Sequence, residues 1–240
     1  TGKQVAELFS SITSVILSFV QSLTFEQVNW LIRNKKQLAN AIRDSIRTLL
    51  VNVGYFSGVL FDWQNFYREV FGIETDSFSD LVIPAKLEGF DRLLIIAEGM
   101  TPQKLYSKCV EMFPSWKWTD RDLDEIVTSD RTAKNGAYAV WVRERVEADE
   151  ELKNLSANQF KERGVPGITL EERLIYELKY FKETGEHLDI NNVTLCAGSR
   201  CGGGHVPFVG FRSVGRGVGV DWAVPNCRDD HLRSRQVVST

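Results

Sequence analysis

The feature that most constrains the fold is the glycine-rich segment Leu195–Leu232, near the C-terminal end of the sequence. It contains 8 of the 18 glycines of the chain, and it has no Lys, Glu, Gln or Met. Glycine clusters mark turns, so this segment is predicted to form short strands separated by Gly-rich turns. The sequence upstream of it is typical of an ordinary helical and mixed globular protein.

Composition limits the domain number and the class of ligand. A chain of 240 residues is long enough for one large domain or two smaller ones. The net charge of −3 argues against a dedicated nucleic-acid-binding protein, which needs a basic surplus. From Leu195 onward there are six Arg against three Asp, a local surplus of +3 that favours an acidic ligand.

The sequence predicts a cytoplasmic protein without a membrane span. The first residues, TGKQVAELF, do not resemble a leader peptide, and the apolar run Val15–Val20 is too short to cross a bilayer. Four cysteines are too few for a disulfide framework in a chain of this length, so a reduced compartment is expected.

Residues 1–75 are predicted to form a helical module. Apolar residues recur at helical spacing through residues 3–23, and Thr24 begins a capping box for a second helix that is predicted to continue to Leu49. A third, aromatic-rich segment spans Phe56–Phe71. Two interpretations remain open: a helical bundle with its own core, or a module for homo-oligomerisation or partner docking.

Residues 80–240 are predicted to form a second, α+β domain, with the polar segment Gly72–Asp80 as the boundary. Its predicted strands and helices, in chain order, are a strand at Phe90–Ala97, a helix at Thr101–Phe113, a strand at Ala137–Val146, and helices at Glu150–Arg163 and Thr169–Thr184.

Two apparent ligand motifs are rejected on spacing. Asp120, Asp122 and Asp124 resemble the start of a calcium loop, but the glycine and the closing glutamate of that loop are missing. These carboxylates are better explained as the start of a helix. The Gly-rich stretches GSRCGGGH and GRGVGVDW lack the Lys-Ser/Thr pair of a phosphate-binding loop, and they predict turns.

The Cys and His residues of the segment allow an alternative function. A zinc-stabilised structural or enzymatic domain would use side chains that are sufficient for tetrahedral coordination, although their spacing is not that of common zinc modules. A Cys-His nucleophilic pair from the same set lacks a third residue to orient the base. The residues concerned are Cys196, Cys201, His205, Cys227 and His231.

The amino-acid alphabet of Leu195–Leu232 is the more informative feature. Lys, Glu, Gln, Met and Trp make up roughly a fifth of an ordinary chain, yet Trp222 is the only one of them here. The other residues present can all be reached from an asparagine codon, AAC, by changing its two adenines. Adenine-directed change of this kind resembles the mutagenesis of diversity-generating retroelements, which are bacterial, and the chain is therefore similar to their variable proteins.

Short motifs agree with that resemblance over residues 135–240. The family has an R-G-G-S-W-like strand, to which Arg216–Trp222 corresponds, although the double glycine is missing here. The family closes with G-F-R-L-V, to which Leu232–Val238 corresponds, although the Gly-Phe pair is missing here. The helix that begins at Thr169 corresponds to a T-E-x-E-W-E-like helix of the family. The resemblance implies a C-type lectin-like domain of the formylglycine-generating-enzyme type, with a hypervariable ligand-binding region at about 196–231.

Strand alternation separates framework from surface in this segment. It predicts that Val209, Phe211, Val218, Val220 and Trp222 point inward. The predicted function is therefore recognition of a protein or other macromolecular ligand, without catalysis or a cofactor. The predicted ligand-binding residues are Cys201, Gly203, His205, Phe208, Gly210, Arg212, Gly219, Asp221, Ala223, Val224, Asn226, Cys227, Arg228, Asp229, Asp230 and His231.

Overall fold

The computed structural model describes residues 2–75, 78, 81–213 and 215–240. By its contacts the chain divides into two compact units, Thr1–Phe61 and Asp62–Thr240. Four residues of the predicted boundary segment Gly72–Asp80, at 76, 77, 79 and 80, lie outside the described residues.

Three helices make up the N-terminal part of the chain: α1 (Gly2–Gln21), α2 (Phe25–Arg33) and α3 (Lys35–Phe71). The predicted capping box at the start of α2 is confirmed, because the Thr24 side chain accepts from the Gln27 backbone N–H and the Gln27 side chain accepts from that of Thr24. The prediction that this helix continues unbroken is wrong. It ends at Asn34, whose side-chain amide and backbone N–H both donate to the Trp30 carbonyl. None of the helices that the structure describes is long and apolar enough to traverse a bilayer.

The last turns of α3 belong to the second unit, although the sequence assigned them to the helical module. Trp63, Phe66 and Tyr67 are each no more than 3% exposed. The Tyr67 hydroxyl donates to the Ile95 carbonyl at 2.7 Å and accepts from the Ala97 N–H at 3.0 Å. This part of α3 is therefore joined to a buried strand of the second unit.

The second unit is a mixed α+β domain. Its elements are β1 (Arg92–Ile96), α4 (Pro102–Met112), β2 (Ser115–Lys117), α5 (Leu123–Ile126), β3 (Thr128–Ser129), β4 (Tyr138–Val142), α6 (Ala157–Glu162), α7 (Leu170–Thr184), β5 (Val193–Leu195), β6 (Ser199–Arg200), β7 (Val206–Arg212), β8 (Gly217–Ala223) and β9 (Leu232–Arg233). The largest sheet has five strands in the order β2-β8-β7-β5-β9, and two small antiparallel pairs, β1-β4 and β3-β6, accompany it.

Local sequence signals predicted several of these elements correctly. Thr101 caps α4, Asp122 caps the short α5, and α7 has a reciprocal capping box and ends at Gly185 with φ 74°. The predicted helix over 150–163 is wrong. It is divided into a 3-10 turn and α6 because Asn154 has φ 59° and Ser156 caps a new helix.

The β7–β8 pair is covered on both of its faces. Val209 and Val220, which are paired across the strands, are both 0% exposed on one face. On the other face Phe208 packs against a cluster of Ala157, Leu195, Val206 and Leu232. The alternation of one buried and one open face that the sequence analysis assumed is therefore absent from the middle of this sheet.

A buried ion-pair network joins α7 to the end of the chain. Arg173 donates to Asp189 at 2.9 Å and to Glu177 at 2.7 Å, and Arg235 donates to Asp189 at 2.7 Å. All four side chains are 1% exposed or less. Arg235 also donates to the backbone carbonyls of residues 145 and 146, so its guanidinium is held at several points.

Candidate ligand-binding cleft

Trp222 lies on the surface, and the prediction that it points inward is wrong. Its side chain is 40% exposed, whereas Val220 on the same face is 0% exposed. The reason is the length of the neighbouring strand, since β2 pairs with β8 only as far as Val220. Trp222 lies beyond that pairing, at the open end of the sheet.

A cleft of about 150 Å³ opens beside this tryptophan. One wall comes from the glycine-rich segment, and the other comes from the stretch that follows β2. The lining residues are Trp118, Thr119, Arg121, Ile126, Cys201, Gly202, His205 and Trp222.

His205 and Trp222 form an aromatic pair in the cleft, with ring centroids 4.0 Å apart and planes at 45°. The His205 Nδ1 lies 2.8 Å from the Gly202 carbonyl oxygen, which can only accept, so Nδ1 carries the hydrogen. Nε2 is therefore the ring nitrogen that remains to contact a ligand. Gly203 and Gly204, with φ 75° and 79°, allow the tight turn that brings the ring back to this carbonyl.

The cysteines of the segment do not form a reactive or metal-binding cluster. Burial raises the pKa of Cys201 to about 11, and it raises that of Cys196 further, so both thiols stay protonated near neutral pH. Cys227 is half-buried against the cluster that contains Leu232. In the part of the chain that the structure describes, no three His, Cys, Asp or Glu side chains are grouped to hold a metal ion.

Three of the predicted ligand-binding residues are buried: Cys201, Gly210 and Gly219. A Cβ on Gly219 would lie 2.4 Å from Cζ2 of Trp116, and one on Gly210 would lie 2.6 Å from a methyl carbon of Val193. The prediction that both glycines face outward is therefore wrong, because a side chain of the neighbouring strand covers each of them.

The other predicted residues are on the surface to differing degrees. Phe208 is half-buried, which corrects the prediction that it is an exposed anchor. Those partly exposed are His205, Phe208, Asp221, Ala223 and Cys227, and those exposed are Gly203, Arg212, Val224, Asn226, Arg228, Asp229, Asp230 and His231.

The loop between β8 and β9 is held against the segment that precedes α6. The Arg228 side chain donates to the Asn154 carbonyl at 3.0 Å, and the Asn154 amide donates to Asp230 at 2.5 Å. Asn158 donates to the side chain of Asn226. The structure thus brings Cys201 and His205 to the cleft, and it holds the 226–230 loop through a separate set of contacts.

Sequence reasoning missed the second wall of the cleft. Trp118 and Arg121 were placed in irregular structure, but β2 pairs in parallel with β8 and the Trp118 N–H donates to the Val220 carbonyl at 3.0 Å. Two tryptophans in three residues were the available signal. Their position beside the glycine-rich segment depends on a parallel pairing between residues about a hundred positions apart, which no local pattern indicates.

No protein-family model matches this chain, and neither does any curated protein or solved structure.

Proposed function

We propose that the protein binds a macromolecular ligand through the surface around the cleft, and that a retroelement diversifies this surface. The observation that carries the proposal is the pairing of His205 with the exposed Trp222 in a cleft whose first wall comes from the segment of unusual alphabet. No catalytic step and no cofactor is part of this function.

The chemistry of the cleft is suited to recognition. Trp, Tyr and Arg dominate binding energetics, and small residues around them adapt to the ligand. Trp118, Trp222 and Arg121 supply such anchors, and Gly202 and Gly203 lie exposed beside them. Trp222 cannot be reached from an AAC codon, whereas His205 can, so the cleft combines a fixed tryptophan with a changeable neighbour.

The lectin-like scaffold is part of the same proposal. The motif Arg216–Trp222 lies almost wholly in strand β8, and the motif that begins at Thr169 forms helix α7. Both positions agree with the roles that the resemblance assigns to them. A rigid framework behind the surface keeps the ordering cost of binding low, and the buried network around Asp189 supplies one.

The packing of Gly210 and Gly219 narrows the proposal. Both positions need glycine for steric reasons, so part of the glycine content of the segment has a structural cause. Diversification is therefore proposed for the exposed and half-exposed positions only. Buried positions such as Val209 and Val220 belong to the framework.

A display library tests the binding function. The codons of Gly203, His205, Val224 and Arg228 are replaced by AAC codons in which both adenines are randomised. The resulting library is selected against purified hen egg-white lysozyme. We expect folded binders with Kd values below about 1 µM, in the usual range of protein recognition surfaces. A matched library at Val209 and Val220 should yield folded protein only from members that keep apolar side chains of similar size at both positions.

Two outcomes would contradict the proposal. One is a surface library that yields no binders although its members fold. The other is genomic: the proposal requires a near-identical DNA repeat beside a reverse transcriptase, with adenines opposite the codons of the exposed positions. If no such repeat exists, the retroelement part fails, whatever the library shows.

Self-association is a second proposed function, for the N-terminal unit taken by itself. Val15, Phe19, Phe25 and Trp30 are 59–82% exposed. With roughly 200 Å² for each aromatic side chain, the three rings alone expose about 400 Å². That is half of the roughly 800 Å² per partner that a stable interface buries, before the neighbouring aliphatic side chains are included.

Substitution Phe19→Lys should shift the protein toward monomer. Sedimentation velocity at roughly 10–100 µM is expected to show a dimer or larger species for the unmodified chain, and at least a tenfold weaker association for the variant, because a desolvated lysine opposes burial. Ser14→Lys adds the same charge at another exposed position of α1 and is the control. A monomer at every concentration, or equal effects of both variants, would disprove the proposal.

A further inference from the structure

We propose that the cleft at Trp222 takes one tyrosine side chain of a protein ligand, and that His205 selects its hydroxyl group. This inference rests on the proposed function and narrows the class of ligand. Three observations carry it: the volume of the cleft, its aromatic walls, and a hydrogen-bond acceptor that shares the lining with a group that can only donate.

The space in the cleft matches one six-membered ring. Its volume is about 150 Å³, and an engineered protein cavity of about 150 Å³ is known to bind benzene. A phenyl or phenol ring therefore fills the space, whereas the indole of tryptophan exceeds it. Gly202 lies exposed on the lining, and a Cβ there would meet no atom within 4 Å. A polypeptide that passes over this glycine can lower one side chain into the cleft.

Aromatic side chains line both walls, and the backbone holds these walls in place before a ligand binds. Trp222 is 40% exposed on one wall, and Trp118 lies on the other. The Trp118 N–H donates to a carbonyl of β8 at 3.0 Å, and the Cys201 N–H donates to the His205 carbonyl at 2.8 Å. Aromatic pairs attract each other beyond the effect of buried area. Because the walls are already ordered, an incoming ring meets them at little entropic cost.

The polar groups of the cleft suit a hydroxyl group better than a carboxylate or an ammonium. Arg121 can only donate, and its ion pair with Glu125, 3.7 Å apart and exposed, leaves the guanidinium able to turn toward a ligand. In neutral His205, Nδ1 donates to the Gly202 carbonyl, so Nε2 accepts. A phenol donates to Nε2 and accepts from Arg121. A carboxylate offers Nε2 no hydrogen, and an ammonium is repelled by the guanidinium.

His205 is therefore the residue that distinguishes tyrosine from phenylalanine. A phenylalanine ring would fill the same space but leave Nε2 without a donor, and a site that bonds a hydroxyl group rejects the analogue that lacks it. Position 205 is also one that the proposed diversification can change. Copies of the protein that differ there would keep the tryptophan walls and select a different polar group.

The probe is N-acetyl-tyrosinamide. The matched controls are N-acetyl-phenylalaninamide, which lacks only the hydroxyl group, and N-acetyl-leucinamide, which lacks the ring. The full chain is titrated at pH 8, where imidazoles are ordinarily neutral, and the indole N–H signals are followed by NMR. We expect saturable shifts of the Trp118 and Trp222 signals. The affinity for the tyrosine amide should exceed that for the phenylalanine amide about threefold or more. Trp30, which is exposed in the other unit, should not shift.

Substitutions separate the contribution of the ring from that of the hydroxyl group. His205→Phe keeps a ring beside Trp222 but removes the acceptor, so the two aromatic probes should then bind within about 1.5-fold of each other. Trp222→Leu removes one aromatic wall and should weaken both aromatic probes about fivefold or more. Arg121→Met should reduce the preference for tyrosine, whereas the same change at the exposed Arg163 should leave every affinity within about twofold.

The assignment is overturned by any of three results. They are the absence of saturable shifts at Trp118 and Trp222, a phenylalanine or leucine amide that binds as tightly as the tyrosine amide, and a tyrosine preference that persists in His205→Phe. The comparison of the three probes on the unmodified chain does not depend on the folding of any variant.

The two proposals fail in different experiments. Lysozyme binders from the surface library, without binding of the tyrosine amide, would refute this inference alone. Binding of the tyrosine amide, together with a folded library that yields no binders, would refute the proposed function alone.

Discussion

Replacing Asp189 with asparagine should destabilise the protein by about 3–5 kcal/mol, because it removes the shared anion of a buried network. Arg173 and Arg235 both donate to this carboxylate, and none of the three side chains is more than 1% exposed. Asn has nearly the same shape and adopts the φ of 54° that Asp189 has, so the backbone is not perturbed. Urea unfolding at pH 7 measures the effect.

The control for this prediction is a surface pair of the same chemistry. Arg145 donates to Glu151 through two bonds of 2.7 and 2.9 Å, but both side chains are more than 40% exposed. Glu151→Gln should therefore cost less than about 1 kcal/mol. If Asp189→Asn also lowers the free energy of unfolding by less than that, the network orients its side chains but does not stabilise the fold.

Gly219→Val is the second large effect, with an expected loss of about 3 kcal/mol from overpacking. The new Cβ would lie 2.4 Å from the Trp116 ring, which must move, and Arg212 rests over that ring at 4.6 Å. The change should therefore also alter the tryptophan fluorescence of the folded protein, to which Trp116 contributes. Thermal unfolding followed by fluorescence measures both consequences in one experiment.

The matched control is Gly202→Val, in the same glycine-rich segment. Gly202 is exposed, and a Cβ there would meet no atom within 4 Å, so the expected change is within about 0.5 kcal/mol. The comparison bears on the proposed function as well. If valine at 202 and valine at 219 change the stability equally, packing does not restrict diversification to the exposed positions.

Local signals in the sequence were sufficient for elements whose ends are set by neighbouring residues. Helix α7 was predicted at both ends because Thr169 and Glu172 cap one end and Gly185 closes the other. Strand β1 was predicted because its apolar run has no polar residue to divide it. In these cases the groups that decide the structure lie within four residues of each other.

The predictions about surface and interior were less accurate because they depend on distant parts of the chain. Alternation in β7 and β8 does not separate exposed from buried residues when Trp116 covers Gly219 and α6 covers Phe208. Trp222 is exposed only because β2 ends early. The buried Arg173 and Arg235 were missed for the same reason, since their partner Asp189 lies 16 and 46 positions away.

The pairing of Arg235 with Asp189 closes a loop of 46 residues, and the whole glycine-rich segment lies inside it. For a loop of this size the entropy of closure grows only with the logarithm of its length, so doubling it would cost about 0.6 kcal/mol more. Insertions at its exposed turns should therefore reduce the free energy of unfolding only slightly, as long as both ends of the loop stay anchored. The same anchorage that holds the domain together leaves the segment free to differ in length as well as in composition.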